Sequence, residues 1–163
     1  MFQLAFLLRP FDLVATLMII AAVVAIAVFG RIATDARGKW YISLNKPHWQ
    51  PPNWAFPVAW SIIYILFILS AVIAWHSTGG SVRLRLMVLY ALNGSLNVAW
   101  SFIFFRSRNT YVAAVDIALL LLSIVWIMVS VVPFSPLAAG LLIPYLFWVA
   151  YALALNWTIA RMN

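Results

Sequence analysis

Five apolar runs, each close to twenty residues and separated by short breaks, decide what this chain can become. They cover roughly residues 12–30, 54–75, 85–105, 110–132 and 136–160. At ~1.5 Å rise per residue, each is long enough as a helix to cross the hydrocarbon core of a bilayer. Charged residues make up 8% of the sequence and hydrophobic ones 67%, whereas soluble domains are about a quarter charged. A soluble fold of 163 residues has too little interior for that much apolar surface. The lipid bilayer must therefore act as its solvent. The expected fold is an all-α integral membrane protein, a single five-transmembrane-helix bundle over residues 1–163.

The breaks fix the topology. Gly79-Gly80 separates the second and third runs, Arg106-Ser107-Arg108-Asn109 the third and fourth, and Pro133 and Pro136 bracket the turn before the fifth. With five crossings, the first loop, the third loop and the C-terminus share one side. That side carries Arg31, Arg37, Lys39, Lys46, Arg106, Arg108 and Arg161; the other has Arg9, Arg83 and Arg85. Cationic loops stay in the cytoplasm, so the first loop and the C-terminus are expected there. Ala25-Ile26-Ala27 also resembles a signal-peptide cleavage site, but Arg31, Arg37 and Lys39 follow directly and oppose translocation. The absence of a Ser/Arg-rich leader favours a bacterial cell membrane.

The first loop, residues 31–53, is unusual for a membrane connection. From Trp40 to Trp60 the sequence WYISLNKPHWQPPNWAFPVAW holds four of the nine tryptophans and four of the eight prolines. Pro47, Pro51, Pro52 and Pro57 fix φ and remove donors. Large flat side chains on a pre-ordered backbone form a lid at little entropic cost, suited to a flat apolar ligand at one membrane face.

Polar stripes mark the bundle interior. Asn93, Asn97 and Trp100 lie at i, i+4 and i+7 and share a helix face, and asparagine does not face lipid without cost. Ala91, Ser95 and Ala99 form a small-xxx-small stripe on nearly the opposite face, suited to close approach of a second helix, from the same bundle or a second protomer. Phe56, Trp60, Tyr64 and Phe67 recur at helical spacing in the second run; Pro144, Trp148 and Tyr151 follow in the fifth, where Pro144 is expected to kink the helix. Trp60, Trp100 and Trp148 fall in the lid half of the membrane with the asparagines and are read as walls of a cavity. A packed aromatic core with interfacial belt residues is the alternative, and it is favoured for Trp49, Trp54 and Trp75. Asp116 stands about two turns into the fourth run. It must be neutral or paired, by a hydrogen bond to a neighbouring helix or by Arg106 or Arg108.

Several function classes are disfavoured or excluded. There is no cysteine, hence no disulfide, thiolate metal site or cysteine nucleophile. The cations are scattered rather than clustered, so no nucleic-acid partner is expected. No Ser-His-Asp set, metal cluster or phosphate loop is visible. Glu is absent and the acids are Asp12, Asp35 and Asp116, too few for a proton-coupled exporter.

One family shares this pattern. Trp40-Tyr41 with Leu44, Lys46-Pro47, Trp49, Pro51-Pro52, Phe56-Pro57 with Trp60, Leu92-Asn93, Leu96-Asn97 with Trp100, Val115-Asp116, Ser135-Pro136-Leu137-Ala138-Ala139, Pro144-Tyr145, Trp148 and Leu155-Asn156 occur in order. In these residues the chain resembles the tryptophan-rich sensory protein family, also called the translocator protein or peripheral-type benzodiazepine receptor family. The resemblance implies a five-helix bundle, commonly a homodimer, with a cavity capped by the first loop. It implies porphyrin ligands, protoporphyrin IX or haem, with no permanent cofactor, and synthetic isoquinoline carboxamide ligands. The residues matching the family pocket are Trp40, Tyr41, Trp60, Asn97, Trp100 and Trp148; the stripes add Tyr64 and Asn93. In the family, light-driven degradation of protoporphyrin IX by bacterial members rests on tryptophans that match Trp60 and Trp148.

For such a ligand, indoles suit the macrocycle faces, and Lys39 and Lys46 at the mouth suit the propionates. His48 is weakly supported as an iron ligand, so no metal site is expected. If degradation occurs, Trp60 and Trp148 act as redox partners of the excited porphyrin rather than as acid–base groups. Cholesterol binding, which the family shows in eukaryotes, is doubtful here. The segment matching the proposed sterol motif reads Leu155-Asn156-Trp157-Thr158-Ile159-Ala160-Arg161, without the tyrosine that the motif needs. Three functions are carried forward: a porphyrin sensor or carrier, a light-dependent porphyrin-degrading enzyme, and an oligomeric scaffold.

Overall fold

A computed structural model describes residues 12–163; Arg9, counted above for orientation, lies outside the described residues. Lipid offers backbone groups no hydrogen bonds, so spanning segments close their bonds internally as helices. The helices are α1 (Leu13–Ala33), α2 (Lys39–Ser43), α3 (Ala55–Ser77), α4 (Gly80–Ser101), α5 (Thr110–Val131), α6 (Pro136–Gly140) and α7 (Ile143–Met162). The described residues contain five segments long and apolar enough to cross a membrane: α1, α3, α4 with its extension to Arg106, α5, and α6 with α7.

Local chemistry sets the ends. The Asp12 carboxylate accepts from the Ala15 amide and caps α1; Asn109 caps α5 and Ser135 caps α6 in the same way. Gly80, with φ of 53°, opens α4 five residues before the run expected from the sequence, because the two glycines let the chain reverse at once. At its other end α4 passes into a π turn, Phe102–Arg106, closed by the Ser107 amide on the Phe102 carbonyl. The fifth crossing is divided at Leu141-Leu142. Pro144 has no N–H for the Gly140 carbonyl and its ring crowds that group, so the kink falls one turn before the proline.

Around the bundle, neighbours run α1, α3, α7, α5, α4 and back to α1, with α3 also touching α4. α5 is the most enclosed crossing and α1 the least. Leu17, Val24 and Val28 of α1 and Leu119, Leu122 and Val129 of α5 face outward, as expected where lipid replaces a protein neighbour. The core between the helices is built on Phe67, Leu86, Leu120, Ile124, Ile127 and Val149. Ser70 pins the short helix α6 to it: its hydroxyl donates to the Ala138 carbonyl at 2.7 Å, so at the 2.6 Å contact with Tyr90 the phenol must be the donor.

α1 and α4 approach closely at Gly94. A Cβ at this position would overlap Cδ1 of Ile26. Gly94→Val is therefore expected to force the Ile26 side chain aside at about 1–3 kcal/mol of overpacking, read as a lower thermal midpoint in detergent. An unchanged midpoint would contradict this approach.

Candidate functional site

Beneath the lid the interior has three aromatic groups joined by polar links. The first lies under the short lid helix α2. Trp40 meets Phe104 edge-on at 5.6 Å and Tyr41 meets Phe105 at 5.4 Å, while Trp100 stacks on Phe104 at 5.4 Å. The π turn supplies this seat by setting Phe104 and Phe105 side by side, 4.9 Å apart and both buried. The second group is the α3–α7 seam, where Trp60 stacks on Tyr64 at 5.6 Å and meets Tyr145 edge-on at 6.1 Å. The third is Phe56, Trp148, Tyr151 and Trp49 in edge or tilted contacts of 5.6–6.0 Å. Trp100 packs against both the central core and the cluster below α2, and so joins them.

A row of hydrogen bonds crosses the bundle behind the seam. Tyr64 donates to Asn97 Oδ1 (3.0 Å), Asn97 Nδ2 to the Tyr145 hydroxyl (3.4 Å), and Tyr145 to Asn93 Oδ1 (3.1 Å). Asn93 Nδ2 donates to Ser123 Oγ (2.8 Å), and Ser123 to the Leu120 carbonyl (2.7 Å). Four crossings, α3, α4, α7 and α5, are thus tied through side chains that would be costly to bury unpaired.

The sequence-based site residues are only partly gathered. Trp60, Tyr64, Asn93 and Asn97 stand together; Trp40, Tyr41 and Trp100 form the neighbouring group; Trp148 sits beside Phe56 rather than in ring contact with Trp60. The space among Ile26, Ile63, Tyr64, Phe67, Asn93, Gly94, Asn97 and Tyr145 is a cavity of about 10 Å³, room for about one water. Small-molecule sites run to about 300–1,000 Å³. Tyr64, Phe67 and Tyr145 crowd this space, so in this conformation it is far smaller than the cavity expected from the asparagine layer.

Other expectations are revised. The Lys46 ammonium lies 4.4 Å from the Tyr41 ring centroid and donates to the Ile42 carbonyl, so it is stitched to the lid's own helix; Lys39 is exposed. Arg106 does not reach Asp116. It donates to the Ile32 carbonyl at 2.6 Å, tying the π turn to the end of α1, and Asp116 Oδ2 is buried without a hydrogen-bond partner. His48 is exposed in the lid. Ala91 and Ser95 face outward and Ala99 is half-buried, with the Ser95 hydroxyl bonded to the Ala91 carbonyl. Trp54 is exposed and Trp49 lies edge-on to Tyr151, while Trp75 donates to Asp12 and carries Arg83 over its ring at the opposite end of the bundle.

Sequence reasoning missed Tyr145, Ser123, Phe104, Phe105 and Asn156 as parts of this interior. Tyr145 sits three residues before Trp148, at helical spacing, and the pattern Phe104-Phe105 before Arg106 was an available signal. Asn156 stands among the family-matching residues without a role, and Ser123 carries no signal beyond being polar within an apolar run.

The lid is fastened rather than buried. Among residues 34–54 only Pro47 is fully buried. Asn163 accepts from the Asn45 amide (2.9 Å) and donates to the Asn45 carbonyl (3.0 Å), and the Tyr151 hydroxyl donates to the Trp49 carbonyl (2.9 Å). Burial under α2 pushes the Tyr41 phenol above its usual pKa of 10.0, with Gln50 partly offsetting this, and burial lowers Lys46. A few discrete bonds and little buried area are the marks of a segment of low local stability.

These features define a class: a five-crossing membrane protein with an aromatic interior under a pinned lid. The family model of the TspO/MBR family matches residues 18–162. The tryptophan-rich protein TspO of Chlorobaculum tepidum is 37% identical over 142 residues, covering 85% of this chain and 89% of that protein. Protein CrtK of Rhodobacter capsulatus is 38% identical over 130 residues (77% and 79%), and the human translocator protein 35% over 127 residues (77% and 75%). The chain belongs to the TspO/MBR family.

Since the protein has no cysteine of its own, one introduced at Leu44, half-buried under the lid, reports lid opening. Asn163→Ala is expected to raise its maleimide labelling rate about five- to tenfold, the loss of one or two net hydrogen bonds. Equal rates would show that the Asn45–Asn163 pair does not hold the lid.

Proposed function

We propose that this protein binds porphyrins, protoporphyrin IX or haem, between the lid and the α3–α7 seam, as a membrane sensor or carrier. The observation that carries this reading is Trp148. Its Nε1 is buried and has no acceptor among the described residues, and its ring lies against Phe56 and Tyr151. A buried donor without a partner is costly, and a ligand acceptor would relieve it. The indoles supply flat apolar walls. Lys39 and Arg31, exposed on the lid side, suit the propionates, joined by Lys46 if its side chain leaves the Tyr41 ring. Because the region is filled in the closed conformation, binding requires lid opening and rotation of the rings.

The magnitudes set how much the polar contacts must contribute. Burying roughly 350 Å² of macrocycle is worth about 9 kcal/mol at ~25 cal/mol/Å². Lost translation and rotation cost at least ~4 kcal/mol. The remaining ~5 kcal/mol corresponds to a Kd of about 0.2 mM, so the propionate contacts and the Trp148 hydrogen bond decide whether affinity reaches the micromolar range. Such a site suits exchange of ligand rather than a permanent cofactor.

Light-dependent degradation of protoporphyrin IX is the second reading. Trp60 stacks on Tyr64 within a hydrogen-bonded row, an arrangement suited to passing an electron to an excited macrocycle. The bilayer in view is a bacterial cell membrane with the lid and C-terminus on the cytoplasmic side, the chain acting as a homodimer through Ala91, Ser95 and Ala99. The same site would take synthetic isoquinoline carboxamides, whereas the sterol segment keeps its departures.

The test is titration with protoporphyrin IX followed by Trp fluorescence, in darkness and then in light. Saturable quenching is expected, with Kd raised about tenfold or more in Trp60→Ala or Trp148→Ala. Unchanged affinity in both variants would remove this pocket. Multiple-turnover loss of porphyrin absorbance in light would move the assignment to the enzyme; stoichiometric bleaching would not.

A further inference from the structure

We propose that Asn156 is a positioning residue that sets the orientation of the Trp100 indole in the ligand wall; the ligand part of this rests on the porphyrin reading above. Asn156 is 2% exposed and reaches from α7 to two other elements at once. Its Oδ1 accepts from Trp100 Nε1 at 2.9 Å and its Nδ2 donates to the Thr110 carbonyl at 2.8 Å. An indole nitrogen only donates and a carbonyl only accepts. One orientation of the amide satisfies both, so the bridge has a fixed sense.

The consequence falls on Trp100. Its single polar atom is held by Asn156 while one ring face stacks on Phe104 and the plane stands nearly perpendicular to Phe105. A half-turn of the ring about its bond to Cβ would carry Nε1 away from Asn156 and leave a donor in an apolar setting. The amide therefore selects which edge and face Trp100 presents where the lid cluster meets the central core. Because Thr110 opens α5, the same bridge also holds the α4–α5 hairpin at the depth that this orientation needs. Asn156 touches the wall and need not touch the ligand.

The bridge requires an acceptor and a donor on one short planar group. A leucine side chain in place of Asn156 would offer neither. An aspartic acid offers both while protonated and loses the donor on ionising. The experiment follows the nine indole N–H resonances of the intact protein in nanodiscs, with Trp100 assigned by its loss in Trp100→Phe. In Asn156→Leu the Trp100 resonance is expected to move upfield while the others stay. The Kd for protoporphyrin IX is expected to rise about tenfold, the scale of one lost hydrogen bond, with little further loss when Asn156→Leu is added to Trp100→Phe. Asn156→Asp keeps an acceptor for Trp100 at every pH and gives up only the donor to Thr110 on ionising, so its Trp100 resonance is expected to move further downfield as pH rises, which a purely packing role would not produce.

An unmoved Trp100 resonance in Asn156→Leu would overturn the assignment. A moved resonance with unchanged affinity would overturn its role in the ligand wall. If the wild-type protein fails to bind protoporphyrin IX, the porphyrin reading falls, and the resonances still decide whether Asn156 orients Trp100. If Asn156→Leu does not fold, Asn156→Asp decides the matter: a Trp100 resonance that moves downfield as the carboxyl ionises supports the assignment, and one that ignores pH overturns it.

Discussion

Inside a bilayer a polar side chain has no water to fall back on, and this structure is arranged around that constraint. A buried amide or hydroxyl that the helices carry inward must find its partner on another helix or on a carbonyl of its own. The row from Tyr64 through Asn97, Tyr145 and Asn93 to Ser123 is the main answer, and it ties four of the five crossings. Ser70 with Tyr90 and Ala138, and Asn156 with Trp100 and Thr110, repeat the solution nearer the two ends. Such bonds are individually modest, averaging below ~1 kcal/mol in membrane proteins. Their effect is to choose one arrangement of helices that apolar packing alone would leave loosely specified.

Aromatic rings do the complementary work. They fill the lid half of the bundle, with Trp100 shared between the lid's seat and the central core. The lid adds little buried surface and is held by bonds to Tyr151 near the middle of α7 and to Asn163 just past its end. The polar row and the core hold the bundle, while the lid meets it mainly through Trp40 and Tyr41 on Phe104 and Phe105.

Much of the fold was legible because its signals are long. Twenty-residue apolar runs, and breaks made of Gly79-Gly80 or Arg106 to Asn109, leave few alternatives to five helices. The asparagine stripe was legible because 3.6-residue periodicity sets Asn93 and Asn97 on one face. What was not legible depends on contacts between helices. That Tyr145 would sit between the asparagines, that Lys46 would fold back on Tyr41, and that Arg106 would bond Ile32 rather than Asp116 follow from helix order and rotation, which no single run encodes. The π turn also escaped, since a one-residue insertion leaves the local pattern of Phe102 to Arg106 unchanged in kind. The aromatic residues marked an interior, but whether they line a space or fill it depends on rotamers, and here they fill it.

The polar row also has an electrical sense. Every donor in it points the same way, from Tyr64 toward a backbone carbonyl that can only accept. No member can turn over alone without setting two donors or two acceptors against each other. The aligned dipoles leave their negative end at the Tyr64 oxygen, on the side of the Trp60 stack. Positive charge is favoured at that end and negative charge is not. An anionic group entering there would meet that field before it met any cation, and would be turned away from the seam.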